Sequence, residues 1–185
     1  MRVIAGKYRS RQLKTVDSKL TRPTTDKNKE NLFNIIGPYF DGGVVLDLFA
    51  GSGGLGIEAI SRGMDELYSV DKQYKAFRTI QDNIKSLGID NAHVYKRDYR
   101  QFLNELDANI KFDLVLLDPP YDMGVNMDII KQLASEHHLN DGAVIVIEDL
   151  KENRLTFENP FYLYREKEYG ITIVQIVDYK EADNG

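Results

Sequence analysis

Residues 44–56 have the sequence VVLDLFAGSGGLG, and an amphipathic helix pattern follows directly after them. The apolar residues predict a buried strand, and the glycines at positions 51, 53 and 56 have the spacing Gly-x-Gly-x-x-Gly, which lets backbone atoms approach a ligand closely. Several classes of ligand share this spacing. Because a strand precedes the glycines and a helix follows them, the segment predicts an α/β fold that binds a cofactor with a nucleoside part.

The chain on either side of the glycines alternates short apolar strands with amphipathic segments, which is typical of a parallel sheet covered by helices on both faces. The predicted strands lie near residues 44–49, 66–71, 92–96, 112–118 and 142–148. The predicted helices lie near residues 54–62, 72–87, 98–106 and 126–137, after a first helix that follows the turn at residues 21–25. We therefore predict a doubly wound sheet in one domain of residues 41–185.

The last part of the chain breaks this alternation. Residues 160–168 and 171–179 both have strand patterns, and the short connection through Gly170 predicts an antiparallel hairpin. Residues 150–160 leave room for little helix, which predicts a trimmed sheet edge. Dinucleotide-binding dehydrogenases continue to alternate helix and strand, so the terminal hairpin argues against that class.

Charge is distributed unevenly along the chain. The formal net charge of the 185 residues is −5, but residues 1–30 hold nine Lys and Arg against three Asp and Glu, a local charge of +6. Basic residues alternate there with apolar ones, which predicts a twisted β-hairpin rather than a loose tail. We expect residues 1–40 to form a basic hairpin arm and a helix, and the arm to contact nucleic acid phosphates through Lys7, Arg9, Arg11 and Lys14.

Composition excludes several other classes. The chain has no cysteine, which excludes a disulfide framework, thiolate metal sites and cysteine nucleophiles. Its first residues lack the apolar core of a signal peptide, and no apolar run approaches the length that spans a membrane. The three histidines have no partners at metal-ligand spacing. We therefore expect a cytoplasmic protein with no membrane and no metal partner.

Residues 118–121, Asp-Pro-Pro-Tyr, follow the apolar run 114–117, so a rigid polar tip is predicted where a buried strand ends. Two prolines fix the backbone and remove two N–H donors, while Asp118 adds a carboxylate and Tyr121 a flat ring. A planar amino group could donate to Asp118 and to the Pro119 carbonyl while its ring stacks on Tyr121. The same tetrapeptide could also be an ordinary turn.

Acidic residues also mark three other predicted strands. Asp71 closes the strand after the glycine loop, where its carboxylate could accept from both hydroxyls of a ribose. Asp98 could accept from an adenine amino group or cap the following helix, and the sequence leaves both roles open. Asp47 would be an expensive buried charge without a partner. A cationic sulfonium or amine cofactor would supply that partner, whereas a pyrophosphate would be repelled.

The order of the glycine loop, Asp71, Asp98 and the Asp-Pro-Pro-Tyr tetrapeptide resembles class I S-adenosylmethionine-dependent methyltransferases over most of the chain. The start MRVIAGKYR, the turn at residues 21–25 with Lys29 and Glu30, and the closing YGIT of residues 169–172 are similar to the RsmD family. The resemblance implies a Rossmann-like methyltransferase sheet. It also implies an enzyme that methylates the N2 amine of a guanine in bacterial 16S ribosomal RNA.

The resemblance also implies a site. S-adenosyl-L-methionine would be held by Arg22, Pro23, Thr24, Asp47, Phe49, Ala50, Gly51, Ser52, Gly53, Asp71, Lys72 and Asp98. The catalytic residues would be Asp118, Pro119, Pro120 and Tyr121. Arg22, Pro23 and Thr24 could instead form only a helix cap. The implied substrate is 16S rRNA in an assembled small ribosomal subunit, and we expect a monomer.

Other functions fit part of the pattern. Asp-Pro-Pro-Tyr also serves adenine N6 in DNA, and a related tetrapeptide serves glutamine amides, so the tetrapeptide does not choose the target. The basic arm favours nucleic acid over a protein amide, and the short chain leaves little room for a DNA target-recognition domain. A non-catalytic RNA-binding protein that keeps the methyltransferase fold is a further alternative.

Overall fold

The structure is a computed structural model, and it describes residues 1–16, 25–121 and 123–181. Its strands are β1 (Val44–Asp47), β2 (Glu66–Asp71), β3 (Ala92–Lys96), β4 (Phe112–Leu117), β5 (Leu139–Leu150), β6 (Phe161–Tyr169) and β7 (Thr172–Tyr179). They form one sheet in the order β3-β2-β1-β4-β5-β7-β6. Strands β1 to β5 are parallel to their neighbours in this group, and β7 runs antiparallel to both β5 and β6. The predicted mostly parallel sheet with a terminal antiparallel hairpin is confirmed.

Helices cover both faces of the sheet. They are α1 (Asp26–Ile36), α2 (Gly54–Ser61), α3 (Tyr74–Leu87), α4 (Tyr99–Glu105) and α5 (Asn126–Ser135). Successive strand residues point to opposite faces, so Val45 packs with α1, α2 and α3 while Leu46 packs with α4 and α5. We call the side covered by α1, α2 and α3 the front face. No helix among the described residues is long and apolar enough to cross a membrane.

The predicted elements of the sheet domain are all present, and their ends differ by a few residues. Strand β1 ends at Asp47 rather than at residue 49, because the chain turns into the glycine loop. Strand β5 begins at Leu139 rather than at residue 142. Leu139 pairs with Phe112, and the register shifts before the regular pairing of Leu114 with Val144.

The trimmed edge between β5 and β6 is a single 3-10 turn, Lys151–Asn153, where an alternating fold would place a full helix. Strand β6 therefore lies at the open edge of the sheet, and within the described residues it pairs with β7 alone. Its first residue, Phe161, is buried, whereas the following side chains are largely exposed.

The described part of the basic arm folds back on itself. Arg2 and Gln12 form an antiparallel bridge, and the amide of Leu13 donates to the carbonyl of Met1 at 2.9 Å. Val3 and Leu13 are buried in the front-face core. The arm is thus packed against the sheet domain, and the division of the chain near residue 40 stays a prediction.

One buried acid, Glu58 of α2, binds the backbone of the arm. Its two carboxylate oxygens accept from the amides of Ile4 at 2.9 Å and Ala5 at 3.1 Å. Arg62 donates to Glu58 at 2.8 Å, and the Lys29 ammonium lies 3.5 Å from it. Burial lowers the pKa of Lys29, which also donates to a backbone carbonyl of the arm at 2.6 Å. The arm therefore has fixed backbone contacts with α1 and α2.

Candidate active site

A cavity of about 970 Å³ opens at the carboxyl ends of the parallel strands, on the front face of the sheet. This volume is at the upper end of the range for small-molecule sites. The predicted site residues that line it are Asp47, Phe49, Ala50, Gly51, Ser52, Asp71, Lys72, Asp98, Asp118, Pro119, Pro120 and Tyr121. The structure thus brings these predicted residues to one cavity, and Gly53 is not among the residues that line it.

The predicted cofactor residues Arg22, Pro23 and Thr24 lie outside the described residues. The described residues on either side of them, Val16 and Thr25, both line the cavity. Thr25 also caps helix α1, since its side chain accepts from the amide at position 28.

Two glycines give the loop its shape. Gly53 has φ +82° at the start of α2, a conformation that other residues adopt only with strain. A Cβ on Gly56 would lie 2.7 Å from Leu67, so this glycine lets α2 pack closely on the strands. The predicted sequence of strand, glycine turn and helix is therefore present.

The loop is tied to the arm through Ser52. Its hydroxyl accepts from the amide of Val16 at 2.8 Å, and its carbonyl accepts from the Asn83 side chain at 3.1 Å. Asn83 also exchanges two hydrogen bonds with the backbone of Lys14. The Ser52 side chain consequently holds the arm beside the cavity.

Asp71 is oriented by two backbone amides. One carboxylate oxygen accepts from Gly51 at 2.9 Å and the other accepts from Gln73 at 2.9 Å. Burial raises the pKa of Asp71. Each carboxylate oxygen can accept about two hydrogen bonds, so each retains one position for a ligand donor. Asp71 can thus accept two neighbouring hydroxyls.

Asp47 is almost fully buried, with 3% of its surface exposed. One of its oxygens accepts from the amide of Gly56 at 3.1 Å. Burial raises the pKa of Asp47 to about 7, and the nearby charge of Asp71 acts in the same direction. No cation pairs with Asp47 among the described residues, so its ionised form would be stabilised by a positively charged ligand.

Asp98 caps helix α4. Its carboxylate accepts from the backbone amide of Arg100 at 2.9 Å. Hydrogen bonds from the Arg100 side chain and amide lower the pKa of Asp98. The cap is thus present, while the adenine contact stays a prediction. Nearby, the rings of Phe49 and Tyr99 pack with their centroids 5.4 Å apart and form an aromatic wall.

The tetrapeptide at residues 118–121 begins directly after the last residue of β4. Within the described parts of the chain, neither the Asp118 carboxylate nor the Pro119 carbonyl accepts a hydrogen bond. Pro119 is buried, whereas Tyr121 is 41% exposed. The tetrapeptide therefore presents two unused acceptors and one accessible aromatic ring at the cavity.

Glu148 is the site residue that the sequence analysis missed. Leu117 of β4 pairs with Ile147 of β5, so Asp118, just after β4, and Glu148, within β5, lie side by side on the front face. Both line the cavity. Burial, and then the charges of Glu148, Asp47 and a neighbouring acid, raise the pKa of Asp118 well above its usual range.

Burial also raises the pKa of Glu148, and none of the described residues pairs with its carboxylate. The strand-end rule that selected Asp71 and Asp118 would have selected Glu148 too, since it ends the apolar run 143–147. Among residues 1–16, 25–121 and 123–181, no three His, Cys, Asp or Glu side chains are grouped to hold a metal ion. The unpaired carboxylates of the site can accept hydrogen bonds and protons.

The four basic residues predicted to bind RNA lie outside the cavity, on the arm. Lys7, Arg9, Arg11 and Lys14 are all exposed. Arg11 donates to a backbone carbonyl near the end of α3, and Lys14 pairs with an acid of the same helix at 3.6 Å. Their contact with RNA stays a prediction.

Comparison with known proteins identifies relatives of this chain along most of its length. Residues 1–178 match the model of the family described as Conserved hypothetical protein 95. The YlbH protein of Bacillus subtilis is 42% identical over 180 residues, covering 95% of this chain and 97% of that one. Ribosomal RNA small subunit methyltransferase D of Escherichia coli is 34% identical, covering 92% and 85%. A solved structure of the Escherichia coli protein YhhF superposes with a TM-score of 0.87 at 32% identity, covering 98% and 99%.

Proposed function

This chain belongs to the Conserved hypothetical protein 95 family, the RsmD family of methyltransferases, and we propose that it methylates the N2 amine of a guanine in small-subunit ribosomal RNA. The observation that carries the proposal is the pair of unpartnered carboxylates, Asp118 and Glu148, at the cavity that the glycine loop lines. The name of the Escherichia coli relative supports rRNA of the small subunit as the substrate.

The cavity fits S-adenosylmethionine as the methyl donor. The backbone of the glycine loop would hold its amino acid part, and the free acceptor positions of Asp71 would hold its ribose hydroxyls. The unpaired Asp47 favours a cationic cofactor over one that carries a pyrophosphate. When bound, this cofactor supplies an electrophilic methyl group on a positively charged sulfur.

Asp118 and Pro119 would position the target amine. An exocyclic NH2 can donate one hydrogen to the Asp118 carboxylate and the other to the Pro119 carbonyl, and Tyr121 can stack on the base. Bonds to both N–H groups favour a nucleophilic nitrogen. The amine loses one proton when it gains the methyl group. The raised pKa of Asp118 suits its carboxylate to accept that proton.

Glu148 favours guanine over adenine. Guanine carries an N–H donor at N1 next to its N2 amine, whereas adenine carries an acceptor at N1 next to its N6 amine. A second carboxylate beside Asp118 matches the first pattern and repels the second when it is ionised. Because Glu148 lies on β5 beside Asp118, it is placed to accept from guanine N1.

Adenine N6 in DNA is the second candidate, and the tetrapeptide itself favours it as much as guanine. The test is methyl transfer from radiolabelled S-adenosylmethionine to unmodified small ribosomal subunits, naked 16S rRNA and duplex DNA in parallel, followed by nucleoside analysis. We expect N2-methylguanosine from an RNA substrate. N6-methyladenine from DNA alone would establish the rival function, and transfer to neither would leave a binding role.

A further inference from the structure

Basic side chains at the open edge of the sheet form a second cluster, far from the arm in sequence. Residues 165–168 of β6 are Arg-Glu-Lys-Glu, with no net charge. Directly paired residues of antiparallel strands lie on the same side of a sheet. Arg165 pairs with Ile176 and Lys167 pairs with Val174, and both partners pack in the front-face core. The two basic side chains therefore belong to the front face, where both line the cavity.

By strand alternation the two acids of this segment belong to the opposite side, although Glu166 also borders the cavity, and both are neutralised by nearby groups. Glu166 pairs across the strands with Gln175, which donates to it at 3.1 Å. Arg154 lies within ion-pair distance of both Glu166 and Glu168. In contrast, Arg165 and Lys167 form no ion pair with any residue that the structure describes. Strand alternation thus converts a neutral segment into a front side with two uncompensated positive charges.

Aromatic rings lie beside these charges. Tyr169 pairs with Thr172 on the same side and lines the cavity, and the Lys167 ammonium is 5.2 Å from its ring centroid. Tyr162, also on this side, is 42% exposed and has the Lys180 ammonium 5.2 Å from its centroid. Positive charges interleaved with accessible rings are the features that hold single-stranded nucleic acid.

The position of the cluster relative to the catalytic carboxylates is set by the sheet. Glu148 pairs with Val174, and Val174 pairs with Lys167, so the three residues lie in one row across β5, β7 and β6. Two strand spacings separate Lys167 from Glu148, which is about 10 Å between backbones. A base held at Glu148 therefore has Lys167 and Arg165 within one nucleotide's reach.

We propose that Arg165 and Lys167, with Tyr169 and Tyr162, bind the RNA strand next to the methylated base, through its phosphates and neighbouring bases. This inference rests on the proposed function and adds a second RNA contact to the one expected from the arm. Charged side chains on an edge strand also prevent aggregation. Protection of the edge strand would work with the charges on either side of the sheet, and it would not require aromatic rings beside them.

The test is binding of unmodified small subunits and naked 16S rRNA in the presence of S-adenosylhomocysteine, measured by filter retention from 0.05 to 0.4 M KCl. Removing two phosphate contacts in Arg165→Ala/Lys167→Ala should lower the salt slope of log affinity by about 1.4. Relative to equal affinity of the two proteins at 1 M salt, that slope corresponds to roughly 25-fold weaker binding of the variant at 0.1 M KCl. Lys111→Ala/Lys131→Ala removes the same charge from exposed positions outside the cavity and should leave binding unchanged.

Equal binding by wild type and Arg165→Ala/Lys167→Ala would overturn the inference, as would equal losses in the two double variants. A change confined to aggregation would assign the charges to edge protection. Should the alanine variant unfold, Arg165→Gln/Lys167→Gln provides the same charge removal with more side chain retained. Methyl transfer by wild type is scored separately. RNA binding that depends on Arg165 and Lys167 without N2-methylguanosine would uphold this contact and refute the proposed reaction.

Discussion

Glu148→Gln tests the assignment of the second carboxylate in the site. The change keeps the shape of the side chain and removes its charge. A hydrogen bond to a charged acceptor contributes about 1.5–3 kcal/mol, whereas a neutral bond contributes about 0.5–1.5 kcal/mol. If Glu148 accepts from guanine N1, the difference of about 1–1.5 kcal/mol lowers kcat/KM by roughly 5- to 13-fold.

The same substitution should change the pH dependence. In the proposed reaction Asp118 acts as a carboxylate, so we expect activity to fall as the pH falls through its pKa. The negative charge of Glu148 is one of the causes that raise this pKa. Removing that charge lowers the pKa of Asp118, and the acid limb of the kcat/KM profile should move to lower pH. A residue with only a structural role would reduce activity without moving the limb.

The assay is initial-rate methyl transfer to unmodified small subunits between pH 5.5 and 9, at subsaturating RNA. Glu152→Gln is the matched control because it removes one carboxylate from an exposed position outside the cavity. We expect the control to match wild type throughout. An unchanged plateau together with an unmoved acid limb in Glu148→Gln would refute both the N1 contact and the electrostatic link to Asp118.

Three further substitutions separate catalysis, cofactor binding and stability. Asp118→Asn should reduce methyl transfer by about 10²- to 10³-fold. Calorimetry should show an unchanged affinity for S-adenosylhomocysteine. Comparable losses of methyl transfer and of this affinity would make Asp118 a cofactor ligand. Asp71→Ala should weaken S-adenosylhomocysteine binding at least 10-fold, since two bonds to a charged acceptor are lost, and equal affinity would contradict the ribose contact. Asp47→Asn should remove a pH-dependent destabilisation of the cofactor-free protein. The folded-state pKa of Asp47 is raised to about 7 from 3.8, so wild type loses stability as the pH rises between these values, by up to about 4 kcal/mol. Urea unfolding at pH 5 and pH 8 measures this loss, and parallel stability curves for the two proteins would rule it out.

Local patterns were enough to predict most of the sheet. The glycines after β1, the apolar runs and the Gly170 turn each depend on neighbours within a few residues, so their structure could be predicted without knowing strand order. The predicted strand-end acids Asp71 and Asp118 reached the same cavity because carboxyl ends of parallel strands meet at one edge. Helix and strand boundaries failed where tertiary pairing decided them, as at Leu139.

The neighbours of the remaining site residues could be predicted only from the strand order. Glu148 lies 30 positions after Asp118, and only the pairing of β4 with β5 brings them together. The positive and negative charges of β6 sum to zero in the sequence, so Arg165 and Lys167 gave no sign of a basic surface. Only the alternation of side chains along the strand places these two residues on one side of the sheet. The fastening of the arm by Glu58 was also missed, because a buried acid in a helix has no local sign of its distant partners.

The front face explains how a chain with a formal net charge of −5 can act on RNA. The arm packs into the front-face core through Val3 and Leu13, and Arg165 and Lys167 lie on the same side, on the edge strand β6. The cavity with its unpartnered carboxylates lies between these two basic elements. Carboxylates alone would repel a polyanion. Positive charge on the arm and on β6 can hold the phosphates, while the carboxylates of the site contact only the N–H groups of the base. The acids of this site are therefore compatible with an RNA substrate.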